Sequence, residues 1–147
     1  MYDIRLASRD EAGSIAAVSG QCFSAPWDED AVLKDMASEQ SFVLSAVSDG
    51  VVAGYAICYF AGDQGDLVSI AVLPDHRRSG LGGSLLEKLE AVAGEHGVGA
   101  VFLEVRISNE PAVSLYEKYG YSRIGVRKSY YSDTGEDAIL MRKDIHA

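Results

Sequence analysis

In "YDIRL", near the start of the chain, Ile4 and Leu6 alternate with polar neighbours, the period of a half-buried strand. The period then changes. Ser8 with Glu11 three residues on matches a capping box, and Ile15, Val18 and Cys22 follow at helical spacing. A second helix is predicted over "APWDEDAVLKDMAS", with Asp28 near its N-cap and Leu33 and Met36 turned inward. "SFVLSAV" and "VVAGYAICYF" read as strands joined through Ser48-Asp49-Gly50, a hairpin signal. "GDLVSIAV" is another strand, and it ends before Pro74, which has no N–H to give a ladder.

From Leu81 the helical period returns. Leu81, Leu85, Leu89 and Val92 form one stripe with Leu86 and Ala93 beside it, and Gly97 is the predicted stop. "GAVFLEVR" is rich in branched and aromatic residues and reads as a buried strand. "SNEPAVSLYEKYG" predicts a short helix, with Pro111 at an N1-like position and Gly120 past its end. "SRIGVRKSYY" and "DAILMRKDI" complete the chain as two strands. The order β-α-α-β-β-β-α-β-α-β-β, without repeats or a linker, predicts one α/β domain over residues 1–147 with a mixed sheet.

Composition narrows the class. With 147 residues, 48% hydrophobic and 24% charged, the chain can bury a core and is not of disordered type. The start "MYDIRLASRDE" has no apolar stretch behind a basic one, and the longest apolar run, "VVAGYAICYFAG", is too short for a bilayer. The expectation is a soluble, cytoplasmic protein without membrane contact. Cys22 and Cys58 share no motif with each other or with His76, His96 and His146, which argues for reduced thiols and against a metal site. The net charge is -9, and residues 1–50 alone carry nine acidic against three basic side chains. No basic stripe exists for direct nucleic-acid binding. The acidic N-terminal third reads first as a solubilising surface, with attraction of a cationic partner as the alternative.

Against that acidity, "RRSGLGG" (Arg77 to Gly83) sets two arginines before three glycines at the start of a helix. Unpaired helical N–H groups, the helix dipole and a flexible backbone together make an anion cradle. Arg77 and Arg78 can add charge-assisted hydrogen bonds, and the motif reads as a diphosphate site. The stretch lacks the Gly-Lys-Ser/Thr of nucleotide hydrolases and does not fit the spacing of dinucleotide loops. Tight helix–sheet packing is the other use for such glycines.

With these residues in view, the chain resembles the GCN5-related N-acetyltransferases (GNAT), whose [Q/R]-x-x-G-x-[G/A] signature is matched by Arg77, Gly80 and Gly82. "APW" (Ala25 to Trp27), "IAVLPDHRRSGLG", "LEVRISN", "LYEKYGY" and "YYSDTGEDAILM" make it similar, more narrowly, to the RimI-like ribosomal-protein alanine N-acetyltransferases. The resemblance implies the GNAT fold: a mixed, mostly antiparallel sheet, flanked by helices and splayed where acetyl-coenzyme A (acetyl-CoA) lies. It implies that backbone groups of Ile70, Ala71 and Val72 hold the pantetheine and thioester carbonyl. Arg77, Arg78, Ser79, Gly80, Leu81, Gly82 and Gly83 would wrap the diphosphate, with Asn109 as a further cofactor contact. Arg77 stands where glutamine is common in close relatives.

The resemblance also implies roles in catalysis. Glu104 becomes the proton acceptor, in an apolar strand where partial burial would favour its neutral form, and Tyr116 becomes the acid at the leaving sulfur. Without the resemblance, Glu104 reads as a solvated strand residue and Tyr116 as a packing aromatic. Tyr130 and Tyr131 would line the acceptor side, and the acceptor would be the basic N-terminal peptide of the eighteenth small-subunit ribosomal protein. Neutralising an α-amine of pKa near 8 at pH 7 costs about 1.4 kcal/mol, against roughly 4.6 kcal/mol for a lysine, which favours an N-terminal acceptor. Two alternatives stand beside this reading: an acetyltransferase for lysines or small amines, and a non-catalytic coenzyme A-binding module. Trp27 reads as either a core anchor or acceptor wall, Cys58 as a packed thiol, and His76 as a surface residue near the cofactor.

Overall fold

The computed structural model describes residues 1–145, so His146 lies outside the described residues. Strand β1 (Asp3–Leu6) leads through a 3-10 turn into α1 (Ala12–Cys22) and α2 (Glu29–Ala37). Three strands follow, β2 (Ser41–Ser48), β3 (Val51–Ala61) and β4 (Gln64–Val72). Then come α3 (Leu81–Glu95), β5 (Ala100–Arg106), α4 (Glu110–Lys118), β6 (Ser122–Arg127) and β7 (Ala138–Asp144). The strands form one sheet in the order β1-β2-β3-β4-β5-β7-β6, antiparallel everywhere except between β4 and β5. Among the described residues no helix is long and apolar enough to cross a membrane.

Local chemistry accounts for most boundaries. Asp49 (φ 51°) and Gly50 (φ 76°) are both left-handed, as a tight β2–β3 hairpin requires. The predicted α3 stripe is buried throughout, and Gly97 (φ 85°) follows the helix end. Asp28 caps α2 by accepting from the Ala31 N–H at 2.8 Å. The inward face of α2 differs from the sequence expectation: Val32 and Asp35 are buried, and Leu33 and Met36 only half-buried. Asp35 is tolerated there because the Tyr59 hydroxyl reaches both carboxylate oxygens at 3.0 Å.

Helices α3 and α4 cover one face of the sheet, packing with Leu44, Val101, Leu103 and Met141. Helices α1 and α2 cover the other face, over Val43, Tyr55, Ile57 and Ala71 of β2, β3 and β4. Two irregularities shape the centre. Ile57 pairs with Ser69 while Cys58 pairs with Leu67, leaving Val68 as a β-bulge that twists β4. The β4–β5 pairing ends at Asp66↔Phe102, although β4 runs on to Val72 and β5 to Arg106. The two strands diverge beyond that point, as the expected splay requires.

One strand is shorter than predicted. β6 stops at Arg127, so Tyr130 and Tyr131 belong to the β6–β7 loop rather than to a strand. Ser129 adopts φ 50°, and its N–H is held by the Asp137 carboxylate at 2.9 Å, which turns the chain away from the ladder.

Candidate active site

At the end of β4 the chain makes a 3-10 turn, passes Arg78 (φ 62°) and Gly80 (φ 84°), and enters α3. The Ser84 N–H makes the first helical bond, to Gly80 O at 3.1 Å, so the N–H groups of Leu81, Gly82 and Gly83 have no helical acceptor. A Cβ at Gly80 would meet open space. A backbone cradle with open room, three free donors and an exposed Arg78 fits a diphosphate.

The other residues of the motif divide differently from the sequence expectation. Gly82 and Gly83 face α4: a Cβ would lie 3.1 Å from Leu115 and 2.0 Å from the Tyr119 hydroxyl. They permit the close approach of the two helices. Arg77 folds back, its Nε donating to Val72 O at 3.0 Å and a terminal nitrogen lying 3.4 Å from Cys22 Sγ. It braces the end of β4, and Arg78 is the outward-facing cation of the pair. Ser79 Oγ donates to His76 O at 2.6 Å, and His76 Nδ1 lies 2.9 Å from the Tyr2 hydroxyl. Ile70, Ala71 and Val72 lie on the diverging part of β4, whose gap-facing edge lacks a β5 partner. Asn109 caps α4 by accepting from the Ala112 N–H at 3.3 Å, which leaves its amide N–H groups for other partners.

On the face that α1 and α2 leave open lies a cleft of about 650 Å³. Asp66, Phe102, Glu104, Arg127, Tyr130 and Tyr131 line it together with Leu103 and Met141 of the opposite core, so it reaches into the splay. Glu104 lies on the open face by strand alternation, since Val101, Leu103 and Val105 point to the other side. Its side chain is one third exposed and paired with Arg127 Nε at 3.1 Å. Its burial is therefore only partial, because no helix covers this face of β5.

Tyr116, on α4, is 7% exposed and packs edge-on to Tyr121 at 6.0 Å. Burial first, and the neighbouring Tyr131 second, push its phenol up to about 12. No buried polar side-chain atom in the described residues lacks a partner, and the Tyr116 hydroxyl makes no hydrogen bond to them, so that oxygen keeps some contact with solvent. Tyr131 is half-buried. Its phenol is raised mainly by burial, opposed by Arg106 and reinforced by Glu104. It is thus electrostatically in touch with both Glu104 and Tyr116.

Of the two readings of Trp27, the core anchor is the one its packing matches. It packs against the α1–α2 core, edge-on to Tyr59 at 6.4 Å, and lines a second cleft of about 540 Å³ that also borders Asp66. Cys58 is fully buried, with a thiol that burial pushes up to about 12, and both cysteines are free. Sequence reasoning passed over Asp66, Arg106 and Arg127. Arg106 was within reach, since it follows Glu104 by two positions on the same strand face. Nothing local to the sequence marks Arg127 as a partner of Glu104.

Comparison with known proteins agrees with this geometry. Residues 12–121 match the family described as "Acetyltransferase (GNAT) family". A protein of Escherichia coli (strain K12) named [Ribosomal protein bS18]-alanine N-acetyltransferase is 38% identical over 122 residues, 82% of each chain. One of the same name from Salmonella typhimurium is 34% identical over 147 residues, 99% of each chain. The crystal structure of the Escherichia coli ribosomal-protein-S18-alanine N-acetyltransferase superposes with a TM-score of 0.90 at 32% identity, covering 100% of this chain and 96% of that one.

Proposed function

The chain belongs to the acetyltransferase (GNAT) family and is an acetyl-CoA-dependent N-acetyltransferase, and on that premise we propose that its acceptor is a protein α-amine, the N-terminal alanine of a bS18-type ribosomal protein. The observation that carries the reading is the cleft of about 650 Å³, open on one face and holding a carboxylate against the splay. An extended N-terminal segment fits such an opening, and the relatives' names supply the substrate class.

Acetyl-CoA supplies an acetyl group already activated as a thioester. The cradle of Gly80 and the free N–H groups of α3, with Arg78, would hold its diphosphate. The gap-facing backbone of Ile70 to Val72 would hold the pantetheine and polarise the carbonyl. Glu104 accepts the proton that the acceptor ammonium must lose, directly or through water. That loss costs about 1.4 kcal/mol at pH 7 for an α-amine, within the means of a single exposed carboxylate. Tyr116 meets the leaving sulfur with a neutral hydroxyl. Moving its proton fully from a phenol at about 12 to a thiolate near 8.5 would be uphill by roughly 5 kcal/mol, so it stabilises the developing charge as a hydrogen-bond donor. The second proton, shed by the nitrogen as it becomes an amide, goes to the departing thiolate. Tyr130 and Tyr131 wall the acceptor side.

The test is thiol release from acetyl-CoA with two basic peptides, one with a free N-terminal alanine and one with that amine blocked and an internal lysine. Turnover with the first alone is expected. Turnover with the lysine peptide would transfer the acceptor role to side chains.

A further inference from the structure

One guanidinium gathers most of the β6–β7 loop. Arg106 grips Asp133 in a two-pronged contact at 3.0 and 2.9 Å, and also reaches Glu136 at 3.2 Å and the Thr134 hydroxyl at 3.3 Å. The Tyr131 ring lies against the same group, its centroid 4.1 Å from the guanidinium carbon. The loop's own bonds run from the Tyr131 N–H to Glu136 O at 3.1 Å and from the Gly135 N–H to Tyr131 O at 2.7 Å. These make a compact turn that Arg106 joins to the sheet at its tip, while the Ile107 N–H bonds Asp137 O at 3.1 Å and Ser108 bonds the Glu136 side chain nearer its end.

The attachment point matters because of where it sits. Arg106 follows Glu104 by two residues on the same face of β5, and the residue it presses, Tyr131, lines the acceptor cleft beside Glu104. The same tyrosine is the neighbour whose charge is felt by the buried phenol of Tyr116. Of the ten loop residues, 128–137, Tyr131, Asp133 and Thr134 meet β5 through Arg106.

We propose that Arg106 is a positioning residue for acetyl transfer: by clamping the β6–β7 loop through Asp133 and Glu136 and stacking on Tyr131, it fixes Tyr131 as the acceptor-side wall beside Glu104. The chemistry suits arginine. Two parallel N–H bonds to one carboxylate and a flat face for the ring are functions that lysine lacks. The clamp governs the acceptor side only, because the diphosphate cradle belongs to the β4–α3 turn.

The activity arm rests on the α-amine reading above; a second arm does not. Arg106→Gln is expected to lower kcat/KM for the free-alanine peptide 10- to 100-fold while leaving coenzyme A affinity within twofold. Arg106→Lys is expected to stay within about threefold of Arg106→Gln. Placed on Tyr131→Ala, Arg106→Gln should cost no more than a further twofold, because the clamp acts through that ring. In hydrogen exchange, Arg106→Gln and the milder Asp133→Asn should each speed residues 128–137 at least tenfold, with α3 and β5 unchanged. Unchanged loop exchange, full recovery by lysine, multiplicative losses in the double variant or a parallel loss of coenzyme A affinity would each overturn the proposal. If the wild-type protein acetylates neither peptide, the acceptor reading fails, and the exchange arm still decides the clamp.

Discussion

The two residues proposed to serve acetyl transfer, Tyr116 and Glu104, stand in opposite environments. The phenol of Tyr116 is held near 12 by burial, so it stays protonated through the physiological range, whereas Glu104 stands on an uncovered face beside Arg127. A raised folded-state pKa contributes stability that is intact below the unfolded value near 10 and lost as pH climbs toward 12. Tyr116→Phe should therefore leave the phenolate absorbance gained below pH 11 unchanged in a spectrophotometric titration. The same variant should lower kcat by 10²- to 10⁴-fold, as should Glu104→Gln. A Tyr116→Phe enzyme within threefold of wild type would refute the role of its hydroxyl. Both residues were legible in "LEVRISN" and "LYEKYGY", but their surroundings were not. Whether a helix covers β5 and whether Arg127 reaches across from β6 are long-range facts that no local period carries.

Helices and turns were the most legible scale. The α3 stripe, the Asp28 cap and the Asp49-Gly50 hairpin follow from local rules, and each appears as expected. The glycine motif shows where such rules stop. Gly80 serves the turn with a positive φ and open space, whereas Gly83 serves the contact of α3 with α4. Alanine at these two places should fail in different ways. Gly83→Ala overpacks against Tyr119 and should destabilise the fold by about 1–3 kcal/mol, read in a denaturant titration. Gly80→Ala costs about 1 kcal/mol in left-handed strain and should weaken coenzyme A binding at least tenfold, read by calorimetry. Equal effects of the two substitutions on coenzyme A affinity would remove this division of labour. The Val68 bulge belongs to the same class of hidden feature, since "GDLVSIAV" alternates no differently from a regular strand.

Charge acts on the whole molecule. The net charge of -9 is concentrated in the first fifty residues, and Asp28, Glu29 and Asp30 sit at the start of α2, next to Trp27 at the second cleft. For a basic acceptor peptide, kcat/KM should fall several-fold between 50 and 300 mM salt, and charge reversal at Asp28 and Glu29 should flatten that dependence. An unchanged salt slope would reduce the acidic surface to a solubilising one. The sheet itself has a property at this scale. Its two halves, β1 to β4 and β5 to β7, share a ladder of three residue pairs, Gln64↔Ala100, Gly65↔Val101 and Asp66↔Phe102, extended by the Gly99 and Ala100 N–H groups bonding to Asp63 O at 2.7 and 3.3 Å. In outline these are two plates seamed along one short ladder and backed by a shared core, with the seam open beyond Asp66 and Phe102. A molecule lodged in the open part of the seam acts as a rivet, bridging the two plates where no ladder joins them.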